Sequence, residues 1–204
     1  MKMNQKKICL IITLLFFYLL FVSAPMARQR TITDSMGRHI HIQKTPIHVI
    51  CSGAGALRLL TYFQAQNRIV AVDSIETRKM FIDARPYALA NPQFKNYPIF
   101  GEYRGNDNPE RIVCLDPQPD VIFKTFADMG YNPEELQRKI AIPVIVLNYG
   151  DLTHYRSALY QSIHIMGDVL NKIERAIEIT TFFDQVIADL KARTTDIKEG
   201  VCTV

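Results

Sequence analysis

Two glycines in the stretch SGAGALR have the spacing of a ligand-binding loop. Gly53 and Gly55 follow an apolar run and open a helical pattern, and Asp73 ends the next apolar run, which is most of a dinucleotide-binding fingerprint. Arg58 stands where that fingerprint has its third glycine, and its side chain would obstruct close packing of helix against strand. The glycines would still let a ligand approach the backbone, and the free N–H groups at the start of the helix would favour a negatively charged group of that ligand. We expect ligand contacts from Ser52, Gly53, Ala54, Gly55 and Arg58.

The ends of the other predicted strands add tyrosines, arginines and a hydroxyl group. Ligands of open parallel sheets bind outside the carboxyl ends of the strands. These ends carry no histidine and no pair of cysteines or carboxylates close in sequence, whereas a bare transition metal needs three or four such ligands. A metal chelate brings its own ligands and needs flat contacts and compensating charge, which tyrosine and arginine supply. The further ligand-binding candidates are Tyr103, Arg104, Thr125 and Tyr149. We therefore expect a chelate as ligand, no metal held by the protein's own side chains and no cofactor.

Catalytic arrangements are not visible in the sequence. Ser52 is not in a G-x-S-x-G pattern, and no Ser/His/Asp or Cys/His set can be assigned, so we expect no enzyme. His39 and His41 fall on one face of a predicted strand, where a solvated surface explains them without a metal. Cys51 and Cys114 lie in apolar patterns, and we expect both to be small buried hydrophobic residues.

The elements that position these residues alternate from residue 48 onward between short apolar runs and helical patterns. Strands that are apolar at every position and separated by helices are typical of a parallel sheet covered on both faces. The sequence predicts an α/β fold with a Rossmann-like, doubly wound parallel sheet, preceded by a β-hairpin over TITDSMGRHIHI. Predicted helices include ALRLLTYF, the stretch from Glu76 to Ala90, the residues after Asn108, and NPEELQRKI.

The pattern after Gly150 is helical throughout. Two apolar stripes at helical spacing predict two core-facing helices, the second running from about Glu174 to about Lys198. The first stripe contains Leu159, Ile163, Met166 and Leu170, and the second contains Ile179, Phe183, Val186 and Leu190. His164 is opposite the first stripe, so we expect it to be exposed.

The length and the net charge of the chain limit the number of domains and the classes of partner that we expect. The chain has 204 residues, of which 48% are hydrophobic, and its formal net charge is +4. This is enough for one ordinary core with an appendage. The basic residues do not form a run interleaved with aromatics, so we expect no nucleic-acid partner.

The N-terminus has the order of a secretory signal peptide. A basic MKMNQKK is followed by fifteen uncharged residues and then by SAPMA. Cleavage after Ala24 or Ala27 is expected, with an uncleaved membrane anchor as the alternative. We expect residues 1–27 to be the signal or anchor, 28–153 an α/β ligand-binding lobe and 154–204 a helical segment, in a periplasmic or otherwise extracytoplasmic protein.

Several stretches, in this order, resemble one family of transport proteins. They are TITDSMGR, PIHVICSGAGALRLLTYFQAQNRIVAVDS, FGEYRGNDNPERIVCLDPQPDVIF and IPVIVLN, followed by a long helix. The chain is similar to the periplasmic substrate-binding proteins of ABC importers for iron complexes and cobalamin, over residues 31 to about 197. The most characteristic piece is N-x-E-R-I-V-x-L with the proline-bounded strand after it.

This resemblance implies two lobes joined by one long helix, with a ferric siderophore, haem or corrinoid held between them. It further implies a monomer that docks on an ABC transporter permease through one exposed glutamate on each lobe. The glutamate of the first lobe corresponds to Glu110, which falls in the first turn of a short helix, where a carboxylate also favours the helix dipole. Both roles remain open for Glu110 at this point.

The chain departs from the family in having no second lobe after the long helix. We therefore expect a truncated or interrupted receptor that binds its cargo weakly or not at all. The alternative is an exported or membrane-anchored α/β enzyme that uses the Gly53 to Arg58 loop for a nucleotide or a phosphate. The last helix distinguishes the two, because a receptor needs it to leave the lobe, whereas a self-contained enzyme would fold it back onto the sheet.

Overall fold

A computed structural model describes residues 30–78, 83–125 and 127–195, and the expected signal or anchor segment lies outside them. The strands are β1 (Arg30–Thr33), β2 (His39–Ile42), β3 (Val49–Ser52), β4 (Ile69–Asp73), β5 (Ile99–Glu102), β6 (Asn106–Asp107), β7 (Val121–Lys124) and β8 (Val144–Val146). The helices are α1 (Ala54–Tyr62), α2 (Ser74–Thr77), α3 (Pro86–Leu89), α4 (Pro109–Val113), α5 (Pro133–Ile140), α6 (Arg156–Leu170) and α7 (Ile173–Thr194). Short 3-10 turns occupy Gln66–Arg68 and Pro92–Asn96.

Six strands form one sheet in the order β6-β5-β4-β3-β7-β8, and all neighbours are parallel except β6, which is antiparallel to β5. Successive residues of the strands enter different hydrophobic clusters, because side chains alternate across a sheet. Val49 and Cys51 face the cluster shared with α1, α6 and the hairpin, whereas Ile50 and Ile122 face the cluster shared with α4 and α5. The predicted doubly wound α/β lobe is confirmed.

The predicted hairpin pairs β1 with β2, and it is fastened to the outer strand β8. Asp34 is buried in the turn, where its carboxylate accepts hydrogen bonds from the Arg38 guanidinium and from the backbone N–H groups of Met36, Arg38 and Val146. Arg38 also donates to the Val144 carbonyl at 2.8 Å. The hairpin thereby covers an edge that would otherwise present unpaired backbone groups.

Three expectations about local structure are wrong. Asp83–Arg85 are not helical, so the predicted helix from Glu76 to Ala90 is interrupted; Pro86 keeps the residue before it in an extended conformation. Cys114 is exposed at the end of α4, because the helix is too short to turn that position inward, whereas Cys51 is buried as expected. Val186 and Leu190 are exposed rather than core-facing.

The two C-terminal helices differ in how they pack. The whole predicted stripe of α6 is buried, and His164 is exposed as expected. The first half of α7 packs on α6, with Ala176 and Ile179 buried, but Phe182 and Leu190 are 60% and 55% exposed. The second half of α7 thus leaves the lobe, as expected for a linking helix. In the described part of the chain, no helix has the length and apolar character needed to cross a bilayer.

We predict that Asp34→Ala lowers the free energy of unfolding by about 3 kcal/mol, because it leaves the Arg38 charge and several N–H groups without their acceptor. Urea unfolding followed by circular dichroism measures this. Asp189→Ala removes an exposed carboxylate from α7 and is the control, with little expected change. Equal effects of the two substitutions would contradict the role assigned to Asp34.

Candidate functional site

The carboxyl ends of five parallel strands gather at one edge of the sheet, and β3 lies at the point where the strand order reverses. The chain passes from β3 to β4 and β5 on one side, and then to β7 and β8 on the other. Such a reversal opens a crevice beyond the strand ends, where open α/β sheets bind their ligands. The surface formed by residues after β3, β4, β5, β7 and β8 is called the ligand face below.

The glycine loop occupies the centre of the ligand face. Gly53 has a φ of +88°, which favours glycine, and it is the N-cap of α1, which starts at Ala54. A Cβ atom on Gly55 would lie 3.0 Å from Cδ2 of Tyr149 and 3.5 Å from Cγ2 of Thr125. The Tyr149 ring is therefore placed directly against the start of α1, and its side chain remains 60% exposed.

Ser52 and Thr125 lie just beneath this surface. Both are 1% exposed, and the backbone N–H and the hydroxyl of Thr125 both donate to the Ser52 carbonyl, at 3.1 and 3.3 Å. These bonds fasten the end of β7 to the end of β3. Direct ligand contact by these two residues stays a prediction, and their observed contacts shape the floor under Gly55 and Tyr149.

Arg58 and Tyr149 share a pocket of about 270 Å³ with Gly55, Arg85 and Tyr87. Nε of Arg58 is buried without a hydrogen-bond partner, and among the described residues no carboxylate lies within ion-pair distance of its guanidinium. Arg85 is neutralised, since it pairs with Glu76 and Asp83, both at 2.9 Å. Arg58 thus brings an uncompensated positive charge to an aromatic pocket on the ligand face.

Tyr103 and Arg104 follow β5 and form a second cationic group at the rim. The Arg78 guanidinium lies 4.5 Å from the centroid of the Tyr103 ring, and that of Arg104 lies 5.6 Å from it. Ser74 holds this turn, because its hydroxyl donates to Glu102 at 2.5 Å and accepts from the Tyr103 N–H at 3.3 Å. Neither residue lines the Arg58 pocket, so the predicted residues fall into two clusters on one face.

The buried carboxylate of Asp73 is directed at its own backbone. It accepts hydrogen bonds at 3.2 Å from the N–H groups of Gly53 and Ile75. Burial, reinforced by the nearby negative charge of Glu76, raises the pKa of Asp73 to about 6 despite these bonds. Since Asp73 is only 3% exposed and its two oxygens hold backbone amides, its carboxylate is not presented to a ribose on the ligand face, and the structure disfavours the nucleotide interpretation.

The sequence did not reveal two buried charge networks on this face. Glu76 accepts from Arg85 and from the Tyr87 hydroxyl at 2.9 Å, and its pKa is raised because burial outweighs these partners. Lys124 pairs with Asp107 at 2.5 Å, with neither side chain exposed, and burial raises the pKa of Asp107 against the opposing effect of Lys124. In the sequence, the only sign of the second network is a charged residue, Lys124, at the end of an otherwise apolar strand. This sign does not identify Asp107 as its partner.

Metal-ligating side chains do not converge in residues 30–78, 83–125 and 127–195, where no group of three or more His, Cys, Asp or Glu side chains could hold an ion. His39 and His41 lie exposed on the hairpin, and their Nδ1 atoms are 3.1 and 3.0 Å from the hydroxyls of Thr33 and Thr31. Both histidines therefore belong to the hairpin, where they interact with hairpin threonines, and neither follows a strand that forms the ligand face.

Glu110 lies exposed in the first turn of α4, as expected. Asn108 caps this helix, because its side-chain oxygen accepts from the Arg111 N–H at 2.8 Å. The neighbouring helix α5 begins in the same way, with Asn132 as cap, Pro133 and an exposed Glu134. The two glutamates have equivalent positions relative to their helix dipoles.

No protein-family model and no curated protein sequence matches this chain. Solved structures do match its fold. A periplasmic solute-binding protein of Veillonella parvula is similar with a TM-score of 0.63 and 18% identity, over 85% of this chain and 50% of that one. The molybdate periplasmic binding protein MolA of Haemophilus influenzae matches with a TM-score of 0.65 and 22% identity, over 83% and 55%.

A third similar structure is the catecholate-siderophore binding protein VctP of Vibrio cholerae, with a TM-score of 0.62 and 22% identity, over 82% of this chain and 55% of that one. The chain thus spans about half the length of these structures. At these identities the likeness establishes the fold, which is that of one lobe of a periplasmic solute-binding protein. The family resemblance of the sequence is confirmed at that level.

We predict that the free energy of unfolding falls as the pH rises from about 4 to about 6. Between the ordinary pKa of 3.8 and the native value of about 6, the native state binds more protons at Asp73 than the unfolded state does. The difference corresponds to about 3 kcal/mol, which is lost in full above about pH 6. Asp73→Asn should remove this part of the pH dependence, measured by urea unfolding at several pH values.

Asp83→Asn is the matched control for this titration. Hydrogen bonds from Arg85 lower the pKa of Asp83, so its contribution is present above its unfolded pKa and lost as the pH falls. Its substitution should therefore change the profile below about pH 4, and should leave the fall in stability between about pH 4 and 6 in place. An unchanged slope in Asp73→Asn would show that other carboxylates, such as Glu76 and Asp107, produce the whole effect.

Proposed function

We propose that the chain is the first lobe of an extracytoplasmic solute-binding protein of an ABC importer, and that its cargo is an anionic metal chelate such as a ferric siderophore or haem. The observation that carries this proposal is the uncompensated guanidinium of Arg58 beside the exposed Tyr149 ring, at the strand-order reversal of the sheet. A positive charge beside a flat aromatic surface complements a chelate with a delocalised or multiple negative charge.

Two further observations support this function. The second half of α7 leaves the lobe, as a helix that joins two lobes must. The structural neighbours include proteins named for a catecholate siderophore and for molybdate, and both of these ligands are anionic. An uncharged corrinoid would gain less from Arg58 and Arg104, so it is the less favoured cargo.

The ligand contacts proposed for this lobe are those of the two clusters on the ligand face. Backbone contacts are proposed for Gly53, Ala54 and Gly55. Contacts with an aromatic ring are proposed for Tyr149 and Tyr103. Arg58 and Arg104 offer charge, while Ser52 and Thr125 support the floor. In this role the protein performs no chemistry and holds no cofactor of its own. It acts as a monomer.

A charge-matched panel of chelates tests the cargo class. We predict that the chain binds ferric tris-catecholate, which is anionic, more tightly than an uncharged ferric tris-hydroxamate or cobalamin, as measured by isothermal titration calorimetry. Arg58→Gln should weaken the binding of the catecholate about tenfold, the equivalent of one charge-assisted hydrogen bond, and should leave the hydroxamate unaffected.

Arg193→Gln, at an exposed position on α7, is the control for this titration. ATP belongs in the same panel, because the competing hypothesis is a nucleotide- or phosphate-binding enzyme. Binding of ATP without binding of any chelate would overturn the proposal and favour that enzyme.

Docking on the permease is proposed for Glu110. We predict that Glu110→Ala lowers the ability of the lobe to stimulate ATP hydrolysis by the permease complex in lipid vesicles, because it removes the carboxylate that pairs with permease arginines. Chelate affinity of the isolated chain should not change. Glu134→Ala is a matched control, since Glu134 has the same place after an Asn-Pro pair in α5. Equal losses in both variants would show that the effect is not specific to Glu110 and would overturn its assignment as the docking residue.

A further inference from the structure

The buried ion pair between Lys124 and Asp107 connects the ligand face with the helix that carries Glu110. Lys124 ends β7, next to Thr125, and its side chain is completely buried. Its ammonium group donates to Asp107 Oδ2 at 2.5 Å and to the Gly105 carbonyl at 2.8 Å, and it lies 3.5 Å from Ser52 Oγ. One side chain thus contacts both the floor of the ligand face and the β5–β6 turn.

The turn at Gly105 packs closely against the Lys124 ammonium group and the Met129 carbonyl. Gly105 has a φ of +76°, and a Cβ atom there would lie 2.7 Å from Lys124 Nζ and 2.9 Å from the Met129 carbonyl. The Gly105 carbonyl also accepts from the Tyr131 N–H at 2.8 Å, in the loop that leads into α5. The turn is therefore clamped between the end of β7 and that loop.

The chain enters α4 directly after this turn. Asp107 pairs with Gly101 of β5, and the next residue, Asn108, caps α4. Only the segment from Asp107 to Glu110 separates the buried ion pair from the exposed carboxylate. A displacement of the Asp107 backbone would therefore be passed directly to the start of α4.

The Asp107 carboxylate is held firmly through one oxygen. Oδ2 binds Lys124, whereas Oδ1 has no partner of hydrogen-bond geometry in the described part of the chain, although the Ser52 side chain is close enough to favour the ionised form of Asp107. An ammonium group in a low-dielectric interior responds strongly to a new negative charge nearby, because water does not screen the interaction. An anionic ligand above Ser52 and Thr125 would draw Lys124 towards itself and loosen its bond with Asp107.

We propose that Lys124 is a positioning residue that transmits occupancy of the ligand face to α4, and so couples cargo binding to the placement of Glu110. This inference rests on the proposed function, because it requires an anionic ligand on that face. It assigns the coupling to one buried side chain and to a defined path, from Ser52 through Lys124 and Asp107 to Asn108.

The test is an NMR titration of the 15N-labelled chain with gallium(III) tris-catecholate, a diamagnetic counterpart of the ferric complex. In the wild-type chain the amide signals of Gly53, Gly55 and Tyr149 should shift, and those of α4 should shift with them. In Lys124→Met/Asp107→Asn, which removes both charges together, the ligand-face shifts should persist and the α4 shifts should be lost. Lys172→Met is the control, since Lys172 also donates to a backbone carbonyl, that of Phe63, but lies off this path.

The outcomes separate this inference from the proposed function. Shifts on the ligand face without any in α4 of the wild-type chain would overturn the coupling and leave the cargo class standing. Shifts in α4 that survive in the double variant would show that the path avoids Lys124, which also overturns the inference. The titration is carried to millimolar chelate, where even the weak binding expected of a single lobe shifts amide signals, and a wild-type chain with no shifts there would overturn the proposed function, and the inference with it. Retained dispersion of the amide spectrum shows that the double variant is folded.

Discussion

The position of β3 in the centre of the sheet is the constraint on which the site depends. Because β4 and β7 pair with opposite sides of β3, the loops that follow these three strands meet at one place. The loop after β3 must then be compact, and Gly53 and Gly55 meet this need through a left-handed backbone and close approach to the Tyr149 ring. A side chain at Gly53 would be strained by its positive φ, and one at Gly55 would press on the Tyr149 ring, so the strand order and the placement of the glycines depend on each other.

The interior beneath the ligand face holds buried carboxylates, whereas the surface carries positive charge. Asp107 is paired with Lys124, Glu76 and Asp83 share Arg85, and Asp73 is held by backbone N–H groups, so each of these carboxylates has hydrogen-bond donors. The charges of Arg58 and Arg104 are not compensated by a described carboxylate. Attraction for an anion therefore comes from the arginines at the surface, and the buried pairs determine how firmly the underlying turns are held.

The sequence predicted the elements of the lobe well and their contacts only in part. Apolar runs and cap residues identified the strands and α4, because these signals are local: Asn108 and Asn132 both cap as their side-chain chemistry requires. An apolar stripe on a helix does not show which element the stripe packs against. Val186 and Leu190 were therefore assigned to the core, although α7 has left the lobe at these positions and both residues are exposed. The roles of Arg85 and Asp107 were not predicted. Arg85 was assigned to a helix that is interrupted there, which hid its pairing with the nearby Asp83 and Glu76, and the partner of Asp107 lies on another strand, β7.

The size of the Arg58 pocket limits what this lobe can do to a ligand. Its volume of about 270 Å³, and the volume of about 420 Å³ of a second pocket that Arg58, Pro86 and Tyr87 also line, lie near the lower end of the range of about 300–1,000 Å³ in which proteins enclose drug-sized molecules. The pocket can therefore seat one arm of a chelate against Arg58 and Tyr149, while the rest of the ligand lies over the open ligand face towards Tyr103. Since affinity depends on how completely the ligand is desolvated, a single wall of this kind would, in the proposed function, select the charge and shape of the cargo more effectively than it retains the cargo. Selection by surface arginines and retention by enclosure are then separate tasks, and the proposed role of this lobe is the first.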